Sequence, residues 1–226
     1  MTLDIGFLLF PRLTQLDLTG PWEFLSRVPD ARAQLVWKTR EPVASDTGLT
    51  IAPTASFADC PRLDVLCVPG GPGINALLND AAVVSFVRRQ GSEARYVTSV
   101  CTGALLLGAA GLLQGYKAAT HWAAMEFLPA FGAIPVEQRV CVDRNRITGG
   151  GVTAGIDFGL ALVAELAGPD AAQQMQLGLE YDPAPPFSAG SPGKAPAEIV
   201  ARYRAAGAAM RNERAAAVAT AAARLG

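Results

Sequence analysis

Residues 95–110 read RYVTSVCTGALLLGAA, and the preferred secondary structure changes within this stretch. Arg95–Val100 is rich in β-branched and aromatic residues, which favours a strand. The residues after Thr102 lack β-branched side chains and favour a buried helix. The change falls on Cys101, which predicts a nucleophile elbow: a sharp turn that presents the side chain at a helix N-terminus. The helix dipole there would favour the thiolate, whereas a buried, unreactive cysteine is the structural alternative.

Strands and helices are predicted to alternate along the chain. The predicted strands span residues 5–10, 34–39, 63–68, 96–100, 117–120, 137–142 and 146–148, with a hairpin at 42–53. The predicted helices span residues 20–27, 81–93, 122–131, 154–166 and about 197–225. This alternation predicts a flavodoxin-like α/β fold, with a mostly parallel central sheet and helices on both faces. Ligands bind such sheets beyond the carboxyl ends of the strands, where Cys101 and the loop 69–73 fall.

The length and composition predict one domain over residues 1–226. Residues 182–196 are rich in Pro, Gly and Ser and are expected to form a surface arm, anchored by Tyr181 and Phe187. The Ala-rich C-terminal segment is a helix by propensity. Its apolar side could cap the domain or cross to a second subunit.

Charge and cysteine content exclude several classes of protein. The 19 basic and 20 acidic residues nearly cancel, which argues against nucleic acid or an anionic membrane as a partner. The uncharged run 96–116 contains four glycines and fits a buried strand and helix better than a membrane span. Sparse cysteines without a C-x-x-C pair, and a single histidine, predict no metal site. Reduced thiols and an N-terminus without signal-peptide features are expected of a cytoplasmic protein.

Several residues near Cys101 could take part in chemistry. Asp17 follows the first predicted strand and could act as a proton donor, or could merely cap the next helix. If it touches Cys101, like charges resist sharing the site, and a thiolate beside a protonated Asp17 is expected. The backbone N–H groups of Gly70, Gly71 and Thr102 could stabilise negative charge on a substrate, or form a plain turn. His121, the single imidazole, could pair with Cys101 or be structural.

Three segments resemble the PfpI/ThiJ superfamily: VLCVPGG at 65–71, SVCTG at 99–103 and THW at 120–122. The resemblance implies a glutamine-amidotransferase-like fold, a nucleophilic Cys101 and a homodimer. Within the superfamily the chain is most similar to the isocyanide hydratases, over nearly its full length. The segments that carry this similarity are IGFLLFP at 5–11, QLDLTGP at 15–21, EYDPAPPF at 180–187 and AGSP at 189–192.

The second resemblance implies a hydro-lyase that adds water to a small-molecule isocyanide and forms an N-substituted formamide. Cys101 would form a thioimidate, Asp17 would handle the proton, and Thr102 would place its hydroxyl and N–H near them. Neither a metal nor an organic cofactor would be needed. Gly70, Gly71 and His121 are candidates for binding the substrate.

Other activities in the superfamily remain as alternatives. Protease-like members have His after the nucleophile, whereas Thr102 follows Cys101 here. Transcription regulators share the CTG and THW motifs but add a helix-turn-helix domain, for which this chain has no room. A glyoxalase-like or deglycating enzyme acting on small dicarbonyls would also use Cys101. A non-catalytic redox sensor or ligand-binding protein, in which Cys101 is oxidised, is a further alternative.

Overall fold

The protein is described here over residues 2–225 of a computed structural model. Its strands are β1 (Leu3–Leu8), β2 (Ala31–Trp37), β3 (Val43–Ala44), β4 (Thr50–Ile51), β5 (Ala55–Ser56), β6 (Val65–Val68), β7 (Tyr96–Val100), β8 (Lys117–Ala118), β9 (Ile134–Pro135), β10 (Val140–Asp143) and β11 (Arg146–Gly149). Its α-helices are α1 (Gln15–Leu25), α2 (Ile74–Leu77), α3 (Ala81–Glu93), α4 (Gly103–Ala109), α5 (Ala154–Ala167), α6 (Pro169–Gly178), α7 (Ala197–Ala206) and α8 (Ala208–Ala222). A 3₁₀ helix spans Trp122–Phe131.

The central sheet has the strand order β10-β11-β7-β6-β1-β2-β5. Neighbouring strands are parallel except for β10, which pairs antiparallel with β11. Every residue of β6 and β11 is buried, because helices cover both faces of the sheet. Helix α1 packs against α5, while α4 packs against α3 and α8. The predicted mostly parallel α/β fold is therefore confirmed.

Helix α1 begins earlier than the sequence predicts. Thr19-Gly20-Pro21 has the pattern of a helix start, but the helix begins at Gln15 and Pro21 lies inside it. Proline removes one intrahelical hydrogen bond, to the carbonyl of Asp17, which a helix can tolerate when tertiary packing holds it. Gly20 and Pro21 are buried, and a Cβ on Gly155 of α5 would lie only 3.1 Å from Pro21 Cδ. The early start places Asp17 in the first helical turn.

Other elements also differ from the prediction. The strands β5 and β9 and the helices α2 and α6 were not predicted, and residues 122–131 form a 3₁₀ helix that contains Pro129. β5, β9 and α2 have only two to four residues, too few to show a periodic hydrophobic pattern. The single helix predicted at about 197–225 is wrong: the helix is interrupted at Gly207, which separates α7 from α8. The predicted hairpin at 42–53 is reduced to the two-residue strands β3 and β4.

The C-terminal helix α8 packs on its own chain. Val218 and Ala221 are buried, and Asn79 Nδ2 donates a hydrogen bond to the carbonyl of Ala217 at 3.0 Å. Helix α8 therefore caps its own domain, whereas α7 buries none of its residues in this chain, and contact of the segment with a second subunit stays a prediction. None of the helices within residues 2–225 combines the length and apolar character needed to cross a membrane.

The arm at 182–196 is anchored at one of its two predicted points. The Tyr181 hydroxyl donates a hydrogen bond to Asp157 Oδ1 at 2.9 Å, and its ring packs edge-on against Phe24. Phe187, by contrast, is 82% exposed, so the prediction that it anchors the arm is wrong. No sequence pattern distinguishes a buried aromatic residue from an exposed one in a segment without periodicity.

Candidate active site

Cys101 lies in the predicted turn between β7 and α4. Its φ angle is 55°, in the left-handed region that non-glycine residues rarely adopt. Its N–H donates to the carbonyls of Gly150 at 2.8 Å and Gly149 at 3.1 Å. Its own carbonyl accepts a hydrogen bond from Thr120 Oγ1 at 2.7 Å. These bonds hold a backbone conformation that is costly by itself and that typically marks a functional position.

Two backbone N–H groups face the sulfur of Cys101. One belongs to Thr102, as the sequence predicted, and the other belongs to Val152. Val152 has a φ angle of 27°, which is strained for a β-branched residue. Sequence reasoning missed Val152, although the three glycines at 149–151 before α5 mark a tight loop at a strand end. Both N–H groups are placed to stabilise negative charge on the sulfur.

Asp17 is paired with Cys101 in the interior. Asp17 Oδ2 accepts a hydrogen bond from the Gly70 N–H at 3.0 Å, and the Cys101 thiol is a hydrogen-bonding neighbour of the carboxyl group. Asp17 Oδ1 has no well-aligned partner within the described chain, so the contact with the thiol is close without being an ideal hydrogen bond. Asp17 does not cap α1, whose N-cap is Thr14. Its side chain crosses to the elbow instead.

Burial dominates the protonation of this pair. Removal from water raises the pKa of Asp17 to about 7, although hydrogen bonds from Cys101 and Gly70 oppose the rise. Burial, followed by the charge of Asp17, also raises the pKa of the Cys101 thiol above its ordinary value. Burial therefore opposes the thiolate that the helix N-terminus and the N–H groups of Thr102 and Val152 favour. Because the two groups are in contact, their titrations are coupled, and the thiolate beside a protonated Asp17 stays a prediction.

Close contacts and a hydrogen bond join the loop at Gly70 and Gly71 to Thr102 at the elbow. A Cβ atom on Gly70 would lie 2.6 Å from the Thr102 nitrogen and 2.7 Å from Asp17 Oδ2, so only glycine fits there. The Gly71 N–H donates to Thr102 Oγ1 at 3.0 Å. The N–H groups of both glycines are thus engaged by Asp17 and Thr102, and substrate binding by Gly70 and Gly71 stays a prediction.

His121 lies in the same region but does not pair with Cys101. Its Nδ1 accepts a hydrogen bond from the Ala123 N–H at 3.2 Å, which caps the 3₁₀ helix. Burial, and then the charge of Arg214, lower the pKa of His121, so the ring is neutral near pH 7. The described residues give it no hydrogen bond to the thiol, and its role toward substrate stays a prediction.

These residues face a cavity of about 720 Å³. Gly71, Cys101, Thr102 and His121 line it, whereas Asp17 lies behind the thiol. The opposite wall comes from the C-terminal helices, including Tyr203 and Arg214, a contribution that no local sequence pattern indicated. The volume suits a small organic ligand. Nowhere in residues 2–225 do three or more His, Cys, Asp or Glu side chains gather closely enough to hold a metal ion.

Comparison with known proteins agrees with this geometry. The DJ-1/PfpI family matches residues 4–165. The chain is 60% identical to the isonitrile hydratase of Pseudomonas putida over 208 residues, which cover 91% of each protein. It is 35% identical over 169 residues to the HTH-type transcriptional regulator GbdR of Pseudomonas aeruginosa, covering 71% of this chain and 46% of the regulator.

A solved structure extends the comparison to three dimensions. The crystal structure of a ThiJ/PfpI family protein from Pseudomonas syringae has a TM-score of 0.94 and 48% identity, and the match covers 96% of this chain and 91% of that one. The sequence match, the superposition and the strand-to-helix elbow at Cys101 all lead to one assignment. This chain belongs to the DJ-1/PfpI family.

Proposed function

We propose that this protein is an isocyanide hydratase, a hydro-lyase that converts R–N≡C and water into an N-substituted formamide. One structural observation carries the proposal: a cysteine and an aspartic acid form a buried pair that opens onto a cavity. The 60% identity to the Pseudomonas putida isonitrile hydratase supports the substrate class, since isonitrile and isocyanide are the same functional group.

The first half of the reaction joins the sulfur to the substrate. Asp17 takes the thiol proton as the sulfur attacks the terminal carbon of the isocyanide, so a C–S bond forms. The protonated Asp17 then delivers this proton to the same carbon, which gives the thioimidate R–N=CH–S–Cys101 and an ionised Asp17. A carboxyl with a pKa of about 7 can both accept and return a proton at neutral pH.

The second half of the reaction releases the formamide. The Asp17 carboxylate accepts a proton from water as the hydroxyl adds to the thioimidate carbon, and this proton passes to the nitrogen. The tetrahedral intermediate then collapses: its O–H proton moves to Asp17, the C–S bond breaks, and R–NH–CHO leaves. The N–H groups of Thr102 and Val152 stabilise the departing sulfur anion. The pair returns with one shared proton, so the atoms balance over the cycle.

The remaining predicted residues support this site. Thr102 positions the loop 69–73 through its hydroxyl, and Gly70 orients Asp17 through its N–H. Gly71 and His121 line the cavity and would contact the R group of the substrate. The proposed domain organisation is a single domain over residues 1–226, with a surface arm at 182–196 and the C-terminal helices α7 and α8.

We also propose that the protein is a cytoplasmic homodimer. The four cysteines are free, which suits a reducing compartment. Leu177 and Phe187 are each 82% exposed, and large exposed apolar side chains favour burial against a second copy. Analytical ultracentrifugation at micromolar concentration is expected to give a dimer, and a monomer would contradict this assembly.

The function is tested by incubating the purified protein with a neutral aryl isocyanide in heavy-oxygen water. Formation of the formamide with the heavy isotope in its carbonyl is expected. Methylglyoxal is the parallel substrate for the glyoxalase-like alternative. Conversion of methylglyoxal without conversion of the isocyanide would exclude the proposed function in favour of that alternative.

A further inference from the structure

Arg214 of α8 is a buried cation in the wall of the active-site cavity. It is 8% exposed, and its Nε donates a hydrogen bond to Asn75 Oδ1 at 3.1 Å. Within residues 2–225 no carboxylate lies within ion-pairing distance of its guanidinium, and its two terminal nitrogens bond to no protein atom. Neither nitrogen is among the fully enclosed unpartnered atoms, so both keep access to the cavity.

The other two arginines of the cavity wall are already engaged. Arg211 makes a two-pronged ion pair with Glu126, at 2.6 and 2.7 Å. Arg204 lies over the ring of Trp122, 5.8 Å from its centroid. Arg214 is therefore the cavity arginine that, within the described chain, contacts neither a carboxylate nor the face of an aromatic ring.

A buried, unpaired guanidinium is unfavourable unless something completes its hydrogen bonds. Burial lowers the pKa of Arg214, and the nearby Cys101, Tyr203 and Glu213 oppose that change only from a distance. Arginine nevertheless keeps its charge, since its pKa in proteins is far above neutral. The terminal nitrogens present the flat, forked geometry that binds a carboxylate with two parallel hydrogen bonds.

The charges around the cavity favour an anion. Three arginines face two carboxylates there, those of Asp46 and Glu126. Of these two, Glu126 is ion-paired with Arg211, and Asp46 accepts a hydrogen bond from Thr14. The aromatic rings of His121, Trp122 and Tyr203 lie 5.0 to 6.2 Å apart in the wall beside Arg214 and suit a flat ring.

We propose that the preferred isocyanide carries a carboxylate on an aromatic R group, and that Arg214 is the specificity-determining residue that binds this carboxylate. The inference rests on the proposed function and names the substrate class within it. The sulfur of Cys101 would attack the isocyanide carbon while Arg214, in the wall formed by the C-terminal helices, binds the carboxylate. An alternative role for Arg214 is to stabilise the Cys101 thiolate, which would help every isocyanide equally.

The test compares para-isocyanobenzoate with its neutral methyl ester. The unmodified enzyme is expected to hydrate the acid with the higher kcat/KM. Arg214→Gln should lower the acid-to-ester ratio of kcat/KM by about 10- to 100-fold, the usual effect of losing a charge-assisted hydrogen bond. Arg214→Lys should retain part of the preference, because lysine keeps the positive charge but lacks the two parallel N–H groups of the guanidinium.

Arg146→Gln is the matched control: Arg146 is also 8% exposed but lies outside the cavity. It should leave the ratio unchanged.

The possible outcomes distinguish a failure of the role of Arg214 from a failure of the hydratase function. If the ester is hydrated but the acid is not preferred, the role of Arg214 is wrong and the hydratase function stands. If Arg214→Gln slows acid and ester equally, Arg214 acts on the thiolate and the substrate proposal is overturned. If neither compound nor a simple neutral isocyanide is hydrated, the proposed function fails and this inference falls with it.

Discussion

The carboxyl group of Asp17 lies against the thiol of Cys101, and the two residues are only 1% and 6% exposed. They come from distant parts of the chain, α1 and the β7–α4 turn, which the parallel sheet brings to the same edge. Burial raises the pKa of both groups, and their contact couples the two titrations, so that one proton can pass between them. This shared proton is what an addition of water across a carbon–nitrogen multiple bond requires.

Replacing Asp17 by Asn is expected to lower kcat for isocyanide hydration by about 10²- to 10⁴-fold, the usual contribution of a general acid–base group. The amide can still accept the hydrogen bond from the Gly70 N–H, so the fold should be retained. Steady-state kinetics together with circular dichroism would check this. An enzyme that keeps full kcat would show that Asp17 has only a structural role.

The same variant should reveal the proton held by Asp17. In the unfolded chain the carboxyl has its ordinary pKa of 3.8, whereas in the folded protein burial raises it to about 7. Between these values the folded protein binds a proton that the unfolded chain has lost, so stability falls as pH rises through this window. The amide that replaces the carboxyl in Asp17→Asn cannot ionise, which removes the penalty. The stability of this variant relative to the unmodified protein should therefore grow between pH 4 and 7.

The growth in relative stability could reach about 4 kcal/mol, since one pKa unit corresponds to about 1.4 kcal/mol. Urea unfolding of both proteins at several pH values from about 4 to 8 measures it directly. A difference that does not change with pH would mean that Asp17 titrates normally in the folded protein.

The site has no room for a side chain at Gly70. An alanine there would place its Cβ 2.6 Å from the Thr102 nitrogen and 2.7 Å from Asp17 Oδ2. We expect Gly70→Ala to lose about 1–3 kcal/mol of stability, the usual cost of overpacking, and most of its activity. Gly178→Ala is the control, because no atom lies within 4 Å of a Cβ at that position. Equal behaviour of the two variants in thermal unfolding and turnover would contradict the steric argument.

The elbow at Cys101 could be predicted because the residues that determine it are neighbours in the sequence. The change from β-branched residues to Ala and Leu fixes the junction at Cys101, and both flanking elements are strong in isolation. The position of Asp17 near Cys101 could be predicted because the strands of a parallel sheet end at the same edge. The start of α1 was predicted wrongly because a proline usually marks the first turn of a helix, whereas Pro21 lies inside this one. The ionisation of Cys101 was not reachable, because burial is a property of the whole fold.

Two features of the site depend on distant segments. The N–H of Val152 reaches the sulfur only because the glycine loop after β11 adopts a strained turn. Arg214 enters the cavity only because α8 packs back across α4 and the 3₁₀ helix. The glycines at 149–151 mark a tight loop but do not show that the Val152 N–H reaches the sulfur. An arginine in an Ala-rich helix is usually exposed to solvent, so nothing in the sequence singles out Arg214. Only the tertiary structure shows that these residues belong to the site.

The central claim is that Cys101 carries out the hydration, and the cysteine variants test it most directly. Cys101→Ala should reduce conversion of an aryl isocyanide to its formamide to the uncatalysed background, because no other cysteine lies at the elbow. Cys141→Ala, which also removes a buried free thiol, should keep the activity of the unmodified protein, as should Cys60→Ala and Cys67→Ala. Undiminished turnover by a folded Cys101→Ala variant, or its loss in one of the other three, would contradict the account.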